Sequence, residues 1–80
     1  MGKDSNIVHQ YYKKQLDGCI LLVKVNPVRL KATEIIVYRN QEPELREIDV
    51  DAEIFEDLKT DGFTDASPIE FNLYLSGLAR

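Results

Sequence analysis

The stretch IVHQYYKKQLDG, residues 7–18, decides the architecture. Val8, Tyr12 and Leu16 recur at i, i+4 and i+8, with Ile7 and Tyr11 beside them, and that is the stripe of an amphipathic helix over residues 7–17. Ser5 or Asn6 supplies an N-cap, and Gly18 suits the C′ position, where left-handed backbone is needed. Valine and two tyrosines also suit a strand. The helix is the reading carried forward here, and it puts a helix ahead of every other element.

Beyond Gly18, CILLVKVNP at 19–27 reads as a strand. Cys19, Leu21, Val23 and Val25 share one face while Ile20 and Leu22 start the other, so both faces are expected to be covered. Pro27 ends it by removing an amide donor. TEIIVYR at 33–39 is a second strand, rich in β-branched residues. NQEPE follows as a turn, and LREIDV at 45–50 alternates, with Ile48 and Val50 on one side and Glu47 and Asp49 on the other. The short connections favour an antiparallel meander.

Two signposted helices close the chain. Asp51 is placed as an N-cap, with Val50 and Phe55 as the hydrophobic staple. Ile54, Phe55 and Leu58 form the inward stripe of that helix. Gly62 then falls at C′, with Leu58 at C3 and Phe63 at C″, the apolar pair of a Schellman ending. The next helix opens at SPIE: Ser67 is the N-cap, Pro68 is N1 and Glu70 is the N3 residue of a capping box. It is expected to run to about Ala79. The expectation is therefore an α+β fold: an N-terminal helix, a three-stranded antiparallel β-meander and two C-terminal helices packed on the sheet. Residues 1–6 are expected to form a flexible N-terminus and residues 7–80 a single domain.

At 80 residues the core is small, and an additional staple or a second copy supports many chains of this size. One cysteine, Cys19, rules out a disulfide within the chain. With a single histidine, His9, the cysteine- and histidine-based zinc patterns fail as well. The opening MGKDSN is polar and lacks a signal-peptide pattern, and its Asn6 breaks the myristoylation pattern. The apolar run CILLV falls far short of the ~20 residues of a spanning helix. The expectation is a soluble cytoplasmic protein with no membrane association.

Charge divides unevenly. Residues 1–40 carry a net +4 and residues 41–80 a net −8, within an overall −4. Such a split marks a nucleic-acid face, an acidic contact surface or simply two differently solvated faces.

The segment LKTDGFTDASPIEF, residues 58–71, has the look of a calcium loop, with Asp57, Asp61, Asp65 and Glu70 around Gly62. An EF-hand loop needs oxygen ligands at positions 1, 3, 5, 7, 9 and 12. Counted from Asp57, position 3 is Lys59 and position 12 is Pro68; counted from Asp49, Ile54 replaces the glycine and Thr60 the glutamate. Helix capping accounts for the same residues without an ion, so no metal site is expected.

Nucleophilic catalysis needs an activated Cys, Ser or Thr near a base. Cys19 lies in an apolar strand, and His9 sits among polar residues. Glu56 and Asp57 are neighbours on a helix and point apart. The four glycines are isolated, so there is no phosphate loop. No catalytic residue, cofactor or enzymatic activity is expected. The two closing helices do not read as a helix-turn-helix, because DGFTDAS is long and acidic and the last helix carries only Arg80 as a base.

The last helix carries the functional reading. Phe71, Tyr74, Leu75 and Leu78 form its core stripe, while Ile69 and Leu73 fall on nearly the opposite side, beside Ser76 and Arg80, where either the first helix or a sheet edge covers them or they form a contact patch. A small acidic, non-catalytic interaction or regulatory protein follows, in contact with a protein partner or a second copy through Ile69 and Leu73. The alternative is a nucleic-acid-associated protein using Lys13, Lys14, Arg29 and Lys31, with Tyr11 and Tyr12 as stacking surfaces. A small enzyme or metal-binding module is the minor alternative.

Overall fold

The structure, a computed structural model, describes residues 8–76. In chain order the elements are β1 (Gln10–Leu16), β2 (Cys19–Asn26), β3 (Lys31–Tyr38), β4 (Glu44–Asp49), α1 (Ile54–Thr60), β5 (Thr64–Asp65) and α2 (Pro68–Leu75). They form a five-stranded antiparallel sheet in the order β4-β3-β2-β1-β5, with two helices, both after the fourth strand. This overturns the expected N-terminal helix and three-stranded meander. The expected flexible segment 1–6 and the end of the expected last helix, 77–79, lie outside the described residues.

The segment read as a helix is strand β1, paired with β2 along its whole length from Gln10 opposite Val25 to Leu16 opposite Cys19. The physical reason is parity. Residues spaced by four share one face of a helix, but they also share one face of a strand. The pairing then separates the two adjacent tyrosines: Tyr12 belongs to the core on one face, and Tyr11 packs with the core on the other. Leu16 pairing with Cys19 leaves Asp17-Gly18 as a two-residue hairpin connection, and Gly18 has a φ of 87°. The glycine thus serves a turn instead of a helix end. Strand β5 lies in the segment expected to be only a connection. It pairs Asp65 with Tyr12 and Thr64 with Lys13, and the Ala66 N–H extends the edge by donating to the Tyr11 carbonyl at 2.9 Å.

The helix punctuation follows its chemistry closely. Gly62 has a φ of 92°, its N–H donates to the Lys59 carbonyl at 3.0 Å, and the Phe63 N–H donates to the Leu58 carbonyl at 2.9 Å. These are the two bonds of a Schellman ending. At the start of α2 the Ser67 hydroxyl accepts from the Glu70 N–H at 3.0 Å, with Pro68 in the first turn. The capping box is not reciprocal, however, because the Glu70 carboxylate is engaged by Lys13. Asp51 accepts from the Glu53 N–H at 3.0 Å and stabilises the turn that leads into α1; it is not the N-cap.

Each helix packs on a different face of the sheet. Leu58 of α1 joins Tyr12, Val23, Val25 and Ala32, with Ile54, Phe55 and Phe63 around them. Phe71 of α2 joins Leu22, Ile35 and Val37, with Tyr11, Ile20 and Tyr74 around them. A sheet covered on both faces explains why β2 is apolar on both sides. Coverage on the α1 face stops part-way: beyond Val23 the same face continues through Leu21, Cys19, Ile36 and Tyr38, all half-buried.

Candidate interaction surface

Helix α2 has one inward and one outward row. Phe71 is 1 % exposed, and its ring meets Tyr11 edge-on with centroids 5.5 Å apart. Opposite it, Ile69 is 72 % exposed and Leu73 41 %. Both sequence-expected contact residues therefore lie at the surface, brought together one helical turn apart. Their exposed neighbours on the helix and its cap are Pro68, Asn72, Leu75 and Ser76, and none of these carries a charge. The one charged residue of α2, Glu70, is half-buried and turned toward β1, where Lys13 Nζ lies 3.1 Å from its carboxylate. Among the described residues, the outer face of α2 is thus an uncharged, partly apolar strip on a chain of net charge −4.

The four bases of the alternative reading are not gathered in this way. Lys13 is held by Glu70. Lys14 donates to the Asp61 carbonyl and lies over the Phe63 ring, 5.9 Å from its centroid. Lys31 pairs with Asp49 at 2.6 Å, and that hydrogen bond and charge hold its ammonium pKa above the ordinary value. Arg29 is exposed in the β2–β3 connection, where the Asn26 side chain accepts its N–H. Lys13, Lys14 and Lys31 are therefore each engaged by an oxygen of their own chain. Tyr11 and Tyr12, the candidate stacking surfaces, are both packed into core clusters. For Tyr12, burial and then the Asp65 carboxylate push the phenol above its ordinary pKa.

His9 and Cys19 stand far apart. Gln10, next to His9, pairs with Val25, while Cys19 pairs with Leu16 at the other end of β1. Six residues of strand separate those ends, about 20 Å. Burial and then Lys24 lower the His9 pKa. Asp57 lies in α1, Asp61 at its C-cap, Asp65 in β5 and Glu70 in α2. Among the described residues, no three of the His, Cys, Asp and Glu side chains are grouped to hold a metal ion. No described helix is long and apolar enough to cross a membrane. An open groove of about 620 Å³ lies at the β1–β2 hairpin end, lined by Cys19, Ile20, Val37, Tyr38 and Tyr74 among others. Partial burial and then Glu44 raise the Tyr38 pKa.

One feature of the surface was not singled out from sequence. Strand β4 ends the sheet, and all six of its residues are exposed, including Leu45 at 55 % and Ile48 at 37 %. The signal was present in ELREID, because a strand with charges on both faces belongs at an edge. No protein-family model, curated protein or solved structure matches the chain.

Proposed function

We propose that this is a small, acidic, non-catalytic interaction protein that works as a symmetric pair, with the outer face of α2 as the contact. The observation that carries this reading is the uncharged strip around Ile69 and Leu73 on a chain of net charge −4. Two copies of an acidic protein repel each other, so their closest approach is favoured where neither presents a charge. In a two-fold contact the same patch meets itself, and an uncharged strip satisfies that condition without like-charge opposition. Burying a side chain such as Ile69 or Leu73 contributes about 1.5–3 kcal/mol when burial is complete, enough to matter for a core of this size.

The separation of His9 from Cys19 supports the non-catalytic part of the reading. The engagement of Lys13, Lys14 and Lys31 by their own chain makes nucleic-acid association the weaker alternative. Sedimentation equilibrium over a wide concentration range tests the pair directly. Wild-type protein is expected to show reversible dimerisation, and Leu73→Asp to be monomeric with unchanged circular dichroism. A wild type that stays monomeric throughout, or a Leu73→Asp variant that dimerises equally well, contradicts the proposal.

A further inference from the structure

The outer edge of β4 is a second exposed surface, of a different kind. In an edge strand, alternate residues direct their N–H and C=O groups away from the sheet, ready to pair with another strand. Among the described residues, strand β4 pairs with β3 alone, from Lys31 opposite Asp49 to Ile36 opposite Glu44. Its side chains alternate: Glu44, Arg46 and Ile48 lie on the α1 face, and Leu45, Glu47 and Asp49 on the α2 face.

That pattern discriminates against a second copy. In an antiparallel pair related by a two-fold axis, opposed residues share a face, so the axis must pass through a residue position. An axis at Arg46 sets Arg46 against its own copy and Leu45 against Glu47. At Glu47 it sets Glu47 against Glu47 and Leu45 against Asp49. At Ile48 it sets Glu47 against Asp49 twice. Like charges directly opposite one another are destabilising. An axis at Leu45 pairs Glu44 with Arg46, but the overlap then shortens to three residues and brings Pro43, which has no N–H, opposite Glu47.

A strand of complementary pattern meets none of these obstacles. Within the chain, Glu44 accepts from Tyr38 Oη at 3.5 Å, Asp49 pairs with Lys31, and Arg46 pairs with Glu34 at 3.5 Å. The Glu47 side chain has no hydrogen bond among the described residues, and its charge acts on Lys31. The edge therefore offers net negative charge, with Leu45 and Ile48 as apolar positions on opposite faces.

We propose that β4 binds an extended basic segment of a partner protein by antiparallel strand addition. Opposite Asp49, Ile48, Glu47, Arg46, Leu45 and Glu44, in that order, the segment reads basic, apolar, basic, neutral, apolar, basic. Main-chain hydrogen bonds hold such a strand, and the alternating side chains select it. The proposal rests on the reading of the chain as an interaction protein, but it uses a surface on the sheet edge, apart from the strip on α2.

The test uses the full chain and the peptide Lys-Val-Lys-Thr-Val-Lys, followed by NMR titration and amide hydrogen exchange. Saturable shifts confined to residues 44–49, with slowed exchange of alternate β4 amides, are expected. The outward N–H and C=O groups of β4 belong to Leu45, Glu47 and Asp49, since Val50 and its alternates bond to β3. A peptide of equal charge with proline for the second valine, opposite Leu45, should therefore bind at least tenfold more weakly, and so should the wild-type peptide to Glu47→Lys or Glu44→Lys. Equal binding of the proline peptide overturns strand addition, as it shows charge attraction alone. Absence of saturable shifts at β4 also overturns it, and shifts gathered at Ile69 and Leu73 instead would do so while leaving the α2 contact standing. Failure of dimerisation in sedimentation, with β4 binding intact, sinks the α2 contact and not this one.

Discussion

The outer row of α2 and the outer edge of β4 are both exposed and both carry apolar side chains, yet they suit opposite kinds of partner. Ile69 and Leu73 stand among Pro68, Asn72 and Ser76 without a charge, so the strip tolerates its own copy. Leu45 and Ile48 stand among Glu44, Arg46, Glu47 and Asp49, and the well-overlapped symmetric registers set like charge against like. Exposure of apolar groups alone says little about partner choice. The arrangement of charge around them decides whether a surface accepts itself, and here the two surfaces differ in that respect within one chain.

The largest expected effect removes the anchor that turns the α2 strip outward. Phe71 is buried against Leu22, Ile35 and Val37, so Phe71→Ala is expected to cost about 3–5 kcal/mol. Ile69→Ala, on the same helix, is expected to stay within about 0.5 kcal/mol in dilute monomer. Urea denaturation of both variants checks this, and comparable losses would place Ile69 in the core and dissolve the strip. A smaller effect is expected from Ser67→Ala, which leaves the Glu70 N–H without its acceptor and costs about 0.5–2 kcal/mol. Because the frayed turn is the one that carries Ile69, self-association should weaken with it, while peptide binding at β4 stays unchanged. Equal weakening of both would show that the surfaces are coupled.

The smallest effect is a control remote from both surfaces. The Tyr12 pKa is raised above 10.0, chiefly by burial, so the folded state favours the protonated phenol. Its contribution is complete below pH 10 and is lost as pH rises through the folded value. Denaturation at pH 8 and pH 10.5 should show a fall in stability for the wild type that is smaller in Tyr12→Phe. An identical fall in both proteins would mean that Tyr12 ionises as freely as in the unfolded chain.

The legible and illegible parts of the sequence separate on physical grounds. The end of α1 and the start of α2 were legible because they are local: Gly62, Leu58 and Phe63 form a Schellman ending and Ser67 caps α2 through bonds that span only a few residues, whereas Asp51 was misplaced as the cap of α1. The three middle strands were legible from β-branched and apolar runs, with bounds within two residues of those found. Strand β1 was not, because the spacing of Val8, Tyr12 and Leu16 is shared by a helix face and a strand face. Asp17-Gly18, directly before an apolar strand, was the better signal, since it is also a hairpin connection. Strand β5 is two residues long and exists only by pairing with β1, so losing β1 lost β5 with it. At the surface, the opposition of Ile69 and Leu73 to Phe71 was legible from helical geometry. The open edge of β4 was signalled by the charges on both faces of ELREID, but its place in the strand order was not, because pairing partners are set by contacts distant in sequence.

The central claim is that the charge-free strip on α2, and not the charged edge of β4, joins two copies. Isotope-filtered NOE spectroscopy on a mixture of labelled and unlabelled protein tests it most directly, because only contacts between copies give signals. The account predicts intermolecular contacts among the methyl groups of Ile69 and Leu73, and none from Leu45 or Ile48. Intermolecular contacts centred on Leu45 and Ile48, with none at Ile69 and Leu73, would contradict it.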